Sequence, residues 1–206
     1  MNLTPEQLIQ RGPEAVEDLI GKAHLVARIY QNKALANTEG VPLKLLLSGE
    51  PGCGKSAASN VVSRSFAPVF EVVHVSGCQV TAELVRDWIL GAHHKPMAWV
   101  VRIIEEVDKI SQQAEVLMLQ YLDIMPNYHA MICTSNASMG ELSDRFQSRF
   151  SAVEVTRPET EEVTRFLMDR WPELGVEAVR IAKANGGDVR ASLNDAQSHL
   201  DLAEFS

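Results

Sequence analysis

At 206 residues, the chain is long enough for one α/β core with a small appendage, since domains run to about 50–250 residues. Hydrophobic residues make up 46% and charged residues 22%, the balance of a globular chain and not of a disordered one. A net charge of −8 and a pI of about 5.3 argue against wrapping nucleic acid over much of the surface, while leaving room for a small basic strip.

The three cysteines, Cys53, Cys78 and Cys133, stand far apart and form no metal-ligand spacing. This argues against zinc, and an odd count suits a reducing compartment. Thr4, Pro5 and Glu6 sit where a signal peptide would need its apolar core, and no apolar run approaches the ~20 residues of a membrane helix. The expectation is a soluble, cytoplasmic protein with no membrane partner.

In chain order, a polar helix is expected over Thr4–Gln10 and a second over Ala23–Asn37. A short apolar strand, Leu43–Leu47, breaks directly into a glycine-rich loop, followed by a helix over Ala57–Phe66. Val69–Val75 reads as a strand with β-branched character. Thr81–Leu90 reads as a helix capped by Thr81, and Trp99–Ile104 as a buried strand. The pattern continues with a helix at Ser111–Ile124, its apolar face set by Val116, Leu119 and Leu122. A strand at Ala130–Thr134, a short helix at Ser143–Gln147 and a last strand at Ala152–Val155 complete the series. Strands alternating with helices imply a parallel sheet covered on both faces. After Pro158 the pattern is helical only: Thr160–Arg170, Val176–Ala184 and Arg190–Glu204. These readings divide the chain into an α/β domain over residues 1–158 and a small helical domain over 159–206.

Residues 49–56 read GEPGCGKS, matching GxxxxGK[ST]. Glycines let successive backbone N–H groups point inward around phosphate oxygens, and the following helix presents its positive end. In such a loop Lys55 reaches the β- and γ-phosphates and the Ser56 hydroxyl holds Mg²⁺. Glu50, Pro51, Gly52, Cys53, Gly54, Lys55, Ser56 and Ala57 are therefore the candidate binding set for a nucleoside triphosphate, ATP above all. Cys53 occupies a variable position of the loop, and no redox role is assigned to it.

The strand Trp99–Ile104 ends in Glu105–Glu106. Ligands of parallel sheets bind at the carboxyl ends of strands, where one carboxylate can steady Mg²⁺ and the next polarise the attacking water. Glu105 is assigned to the metal and Glu106 to the water. The metal-side position is usually Asp, and Glu105 is one methylene longer.

With these motifs in place, the chain resembles the AAA+ ATPase family, most closely clamp-loader-type modules such as replication factor C small subunits. The resemblance runs from Asp18 to Leu200 and implies a P-loop sheet of strand order 5-1-4-3-2 with a helical lid. DLIG, Asp18–Gly21, is similar to the segment that packs on adenine, which implies base contacts from Ile20 and Gly21. TSN places Asn136 at the first sensor. LSDRFQSRF resembles the arginine-finger segment, with Arg149 as the finger and Arg145 second. GGDVRASL resembles the second sensor, with Arg190 facing the γ-phosphate and Asp188 capping its helix. Clamp-loader proteins continue into a helical collar, and none is expected in a chain ending at Ser206.

About five residues separate the helix ending near Ile124 from the strand at Ala130, too few for the hairpin of helicase-like relatives. SGCQV, Ser76–Val80, lacks the aromatic pore loop of unfoldases. The resemblance thus implies a homo-oligomeric ring or open ring whose ATP hydrolysis remodels a nucleic-acid or replication-type assembly, with DNA or a replication-type protein as partner. A nucleotide-gated scaffold that hydrolyses poorly is the alternative, and a small-molecule kinase with the same loop a more distant one. His93, His94 and Lys95 read as a solvated loop, and Trp88, Trp99 and Trp171 as core.

Overall fold

The central strands are short apolar runs that become buried on both faces, the pattern of a parallel sheet sandwiched between helices. The computed structural model describes residues 4–68, 71–94, 96–138 and 141–204. The expected strand start at Val69 and Phe70, and Lys95, lie outside them.

Five strands, β1 (Leu43–Ser48), β2 (Val73–Ser76), β3 (Val100–Glu105), β4 (His129–Ser135) and β5 (Ser151–Glu154), form one sheet. Every pairing is parallel, in the order β2-β3-β4-β1-β5, which is the expected 5-1-4-3-2 read from the other edge. The helices are α1 (Pro5–Arg11), α2 (Gly21–Ala36), α3 (Lys55–Arg64), α4 (Ala82–Gly91), α5 (Gln112–Ile124), α6 (Asp144–Gln147), α7 (Thr160–Arg170), α8 (Val176–Asn185) and α9 (Val189–Glu204).

Close contacts group the chain into two compact units. The first comprises residues 28–49 and 62–154 and holds the whole sheet. On one face of the sheet, Leu46, Ile104, Met131 and Cys133 pack with Val85 and Trp88 of α4 and with Met118, Tyr121 and Leu122 of α5. On the other, Val101 and Ala130 meet Ala67, with Phe66, Val72 and Trp99 partly buried against them. The second unit comprises residues 1–27, 50–61 and 155–206. Its core is helical: Leu8 of α1 joins Val163, Phe166 and Leu167 of α7, Ala178 and Ala182 of α8, and Leu193 and Ala196 of α9. Thr4 caps α1 reciprocally with Gln7, and Gly186 ends α8 in the left-handed conformation that favours glycine.

Three expectations are corrected. β2 starts at Val73, after a hydrogen bond from the Glu71 N–H to the Pro68 carbonyl. As an edge strand β2 pairs only with β3, so the apolar run outlasts the pairing. Val116 of α5 is exposed; the buried stripe is Ala114, Met118, Tyr121 and Leu122, about 200° around the helix from Val116 at 100° per residue. Trp99 is half-buried instead of core, set edge-on to the rings of Phe66 and Tyr128, whereas Trp88 and Trp171 are buried.

Candidate nucleotide site

The glycine loop begins where β1 ends at Ser48. Gly49, Gly52 and Gly54 all have positive φ, at 142°, 81° and 96°, conformations an L side chain resists. They bring the chain round so that α3 starts at Lys55, leaving its first amides free of intrahelical partners. Lys55 is buried. Its ammonium donates to the Glu50 carbonyl at 2.8 Å and lies 3.8 Å from Cys53 Sγ, folded over the loop that an anion would fill. Ser56 follows, half-buried in the first turn of α3, with Ala57 beside it. A loop of this backbone, an ammonium and a helix-start hydroxyl is a donor set suited to phosphate and its metal.

Helix α9 is fastened to this loop. Asp188 accepts from the Ala191 N–H at 3.0 Å and so caps α9, and the Val189 N–H donates to the Gly52 carbonyl at 3.3 Å. A Cβ on Gly52 would overlap the Asp188 carboxylate. Arg157 reinforces the join: its Nε forms an ion pair with Glu50 at 3.0 Å, and Nη2 donates to the Pro51 carbonyl at 3.3 Å. Arg190, in the first turn of α9, is exposed and makes no hydrogen bond or ion pair among the described residues. Ile20 packs, partly buried, on the helical core of this unit. Gly21 has φ 57°, and a Cβ there would come within 2.9 Å of the Pro158 side chain.

In the sheet unit, β1, β4 and β3 are neighbours with level carboxyl ends, Ser48 lying opposite Ser135 and Ile104 opposite Cys133. Glu105 is the last residue of β3, paired in register with Ser76. Glu106 then leaves the strand in the left-handed region, φ 54° and ψ 52°, a conformation that costs a non-glycine residue roughly 1–3 kcal/mol. Several bonds hold it there. Its N–H donates to Thr134 Oγ1 at 3.3 Å, and its carbonyl accepts from the Lys109 N–H at 2.9 Å. Its carboxylate accepts from Asn136 Nδ2 at 3.2 Å through Oε1 and from Lys109 Nζ at 2.7 Å through Oε2. The structure therefore joins Glu106 and Asn136 directly. Asp108 fixes the turn that carries Asn136, its Oδ1 accepting from Ser135 Oγ at 2.9 Å and from the Asn136 N–H at 3.1 Å.

The two arginines of the QSR segment differ. Arg145 is exposed. Arg149 forms a fork on Asp123, with Nε and Nη2 each donating at 2.8 Å, while Nη1 donates to the Arg145 carbonyl at 2.7 Å. These bonds from Arg149 hold the Asp123 carboxyl below its ordinary range. Sequence reasoning missed Asp108, Lys109, Thr134, Asp123 and Arg157. Asp108 and Lys109 carried local signals, an acid two residues and a base three residues beyond Glu106. The others are recruited by folding from distant segments.

A glycine loop joining strand to helix, on a parallel sheet of this order, defines a P-loop nucleoside-triphosphatase fold of the AAA+ type. The model of the ATPase family associated with various cellular activities (AAA) matches residues 45–157, and the chain belongs to that family. It is 29% identical over 203 residues to the replication factor C large subunit of Ignicoccus hospitalis, covering 93% of this chain and 43% of that one. The chain thus spans less than half the length of this relative. Among solved structures, Thermotoga maritima RuvB variants share the fold. The P216G mutant superposes with a TM-score of 0.73 at 18% identity, over 94% of this chain and 67% of that one. The K64R mutant gives 0.71 at 16%, over 90% and 64%. Among the described residues no helix is long and apolar enough to cross a membrane.

Proposed function

We propose that this chain binds MgATP at the Gly49–Ser56 loop and hydrolyses it, as one copy in a homo-oligomeric ring or open ring, to remodel a nucleic-acid or replication-type assembly. The observation that carries this reading is the Glu106–Asn136 hydrogen bond at the carboxyl end of β3 and β4, beside the strand from which the phosphate loop departs. In this reading residues 1–158 are the nucleotide-binding domain and 159–206 the lid. Ile20 and Gly21 contact the base, and the loop amides with Lys55 hold the phosphates. Ser56 and Glu105 would hold Mg²⁺, which supplies charge neutralisation on the phosphates. Glu106 accepts the proton of the attacking water, and Asn136 orients that water. Arg190 acts from the lid, and Arg149 of a neighbouring copy stabilises the charge spreading over the transferred phosphoryl group. The likeness to a replication factor C large subunit supports the replication-type target.

The Lys109–Glu106 pair favours a second reading, a nucleotide-gated scaffold that binds ATP and turns it over slowly, because the ammonium occupies Oε2 of the carboxylate that would otherwise face the attacking water. ATP turnover with and without single- and double-stranded DNA, across a salt series, separates the two. DNA-stimulated turnover that falls as salt rises supports the motor. Turnover at background under all conditions, with ATP bound, supports the scaffold and removes the motor.

A further inference from the structure

Glu106 adopts a backbone conformation that its own residue type disfavours, so something besides the Glu106 side chain must determine it. Gly77 directly follows β2 and is buried. Since Ser76 pairs with Glu105, the chain places Gly77 alongside Glu106. A Cβ built on Gly77 would lie 2.9 Å from the Glu106 carbonyl carbon, closer still to its oxygen, and 3.3 Å from the Glu105 carbonyl oxygen. All three atoms are backbone, so no side-chain rotation relieves the overlap. The Glu106 peptide is also pinned on its other sides, by Thr134 on its N–H and by Lys109 on its carbonyl.

We propose that Gly77 is a positioning residue for ATP hydrolysis: the missing side chain at the end of β2 is what lets the Glu106 peptide turn left-handed and aim its carboxylate at Asn136. This rests on the reading of Glu106 as the group that activates water. The geometric mechanism is specific. Any side chain at position 77 displaces the Glu106 backbone, and a displacement of about 1 Å can cost on the order of a hundredfold in rate. Neither the phosphate loop nor its lysine takes part in the Gly77 contact, so ATP affinity is spared.

The test compares wild type, Gly77→Ala, Glu106→Gln, the double variant and Gly91→Ala, a control glycine with open space around it. Turnover of MgATP is measured at protein concentrations where the rate per chain no longer rises, together with MgATP affinity by calorimetry. Gly77→Ala is expected to lower kcat at least about tenfold with affinity within about twofold. The double variant should be no slower than Glu106→Gln, because both changes remove the same group from the reaction. Gly77→Ala turning over like wild type overturns the inference. So does loss of ATP affinity in Gly77→Ala, or a rate loss that multiplies on top of Glu106→Gln, since either marks a purely structural role. If Glu106→Gln itself turns over as fast as wild type, the reading of Glu106 fails instead.

Discussion

A buried polar chain in the sheet unit makes stability depend on pH in a calculable way. Arg102 Nη1 donates to the Tyr121 hydroxyl at 3.0 Å, and that hydroxyl lies 2.8 Å from His129 Nδ1. The arginine can only donate, so the tyrosine oxygen accepts from it, and which partner donates across the Tyr121–His129 bond depends on the imidazole tautomer. His129 is buried, which favours its neutral form. Burial, and secondarily the nearby Arg102 charge, lower its pKa from 6.5 to about 4. Between these values the unfolded chain binds a proton that the folded chain does not, so stability is complete above about pH 6.5 and falls as pH drops towards 4. At about 1.4 kcal/mol per tenfold change in proton affinity, the full shift is worth ~3 kcal/mol, and dielectric relaxation around a newly charged ring reduces this to about 2 kcal/mol. Urea unfolding of wild type and His129→Asn at half-unit steps from pH 7 to 4 isolates the contribution, since other groups titrate in both. The difference should narrow by about 2 kcal/mol over that range. A difference independent of pH, or a His129 ring that titrates near 6.5 by NMR, refutes the reasoning.

Lys55→Ala should weaken MgATP binding about a hundredfold or more, read by calorimetry, because no other side chain of the Gly49–Ser56 loop carries a positive charge to the phosphates. Gly52→Ala forces a side chain into a φ of 81° and into the Asp188 carboxylate, so both ATP affinity and thermal midpoint should fall. Gly91→Ala, at the end of α4 with nothing within 4 Å of the new Cβ, should raise unfolding free energy by about 0.4–1 kcal/mol. Arg149→Ala should cut turnover of the assembled protein about a hundredfold or more while leaving ATP affinity unchanged, as measured in parallel.

The layout of the fold was legible because its signals are local. The apolar runs that became β1, β3 and β4 are buried on both faces, and Thr81, Ser111, Ser143 and Asp188 cap helices through their own side chains. β2 was misread because its limit is set by what it pairs with, and Val116 because hydrophobicity alone does not fix which face of α5 turns inward. Within the site, residue type and spacing marked Lys55 and Glu106, and the family resemblance marked Asn136. The sequence could not show the Asp123 fork on Arg149 or the Arg157 clasp on Glu50, for each joins side chains far apart in the chain. Gly77 is the extreme case: its contribution is an absent atom, visible only against the neighbouring peptide.

In the proposed function the glycine loop and Glu106 serve one reaction, binding and then hydrolysis of ATP. Single-turnover measurement of [γ-phosphate]-labelled MgATP on wild type and Glu106→Gln, with affinity determined on the same samples, addresses it directly. Both proteins should bind MgATP equally, with Glu106→Gln releasing phosphate at least about a hundredfold more slowly. Equal release from both proteins, or loss of binding in Glu106→Gln, would contradict it.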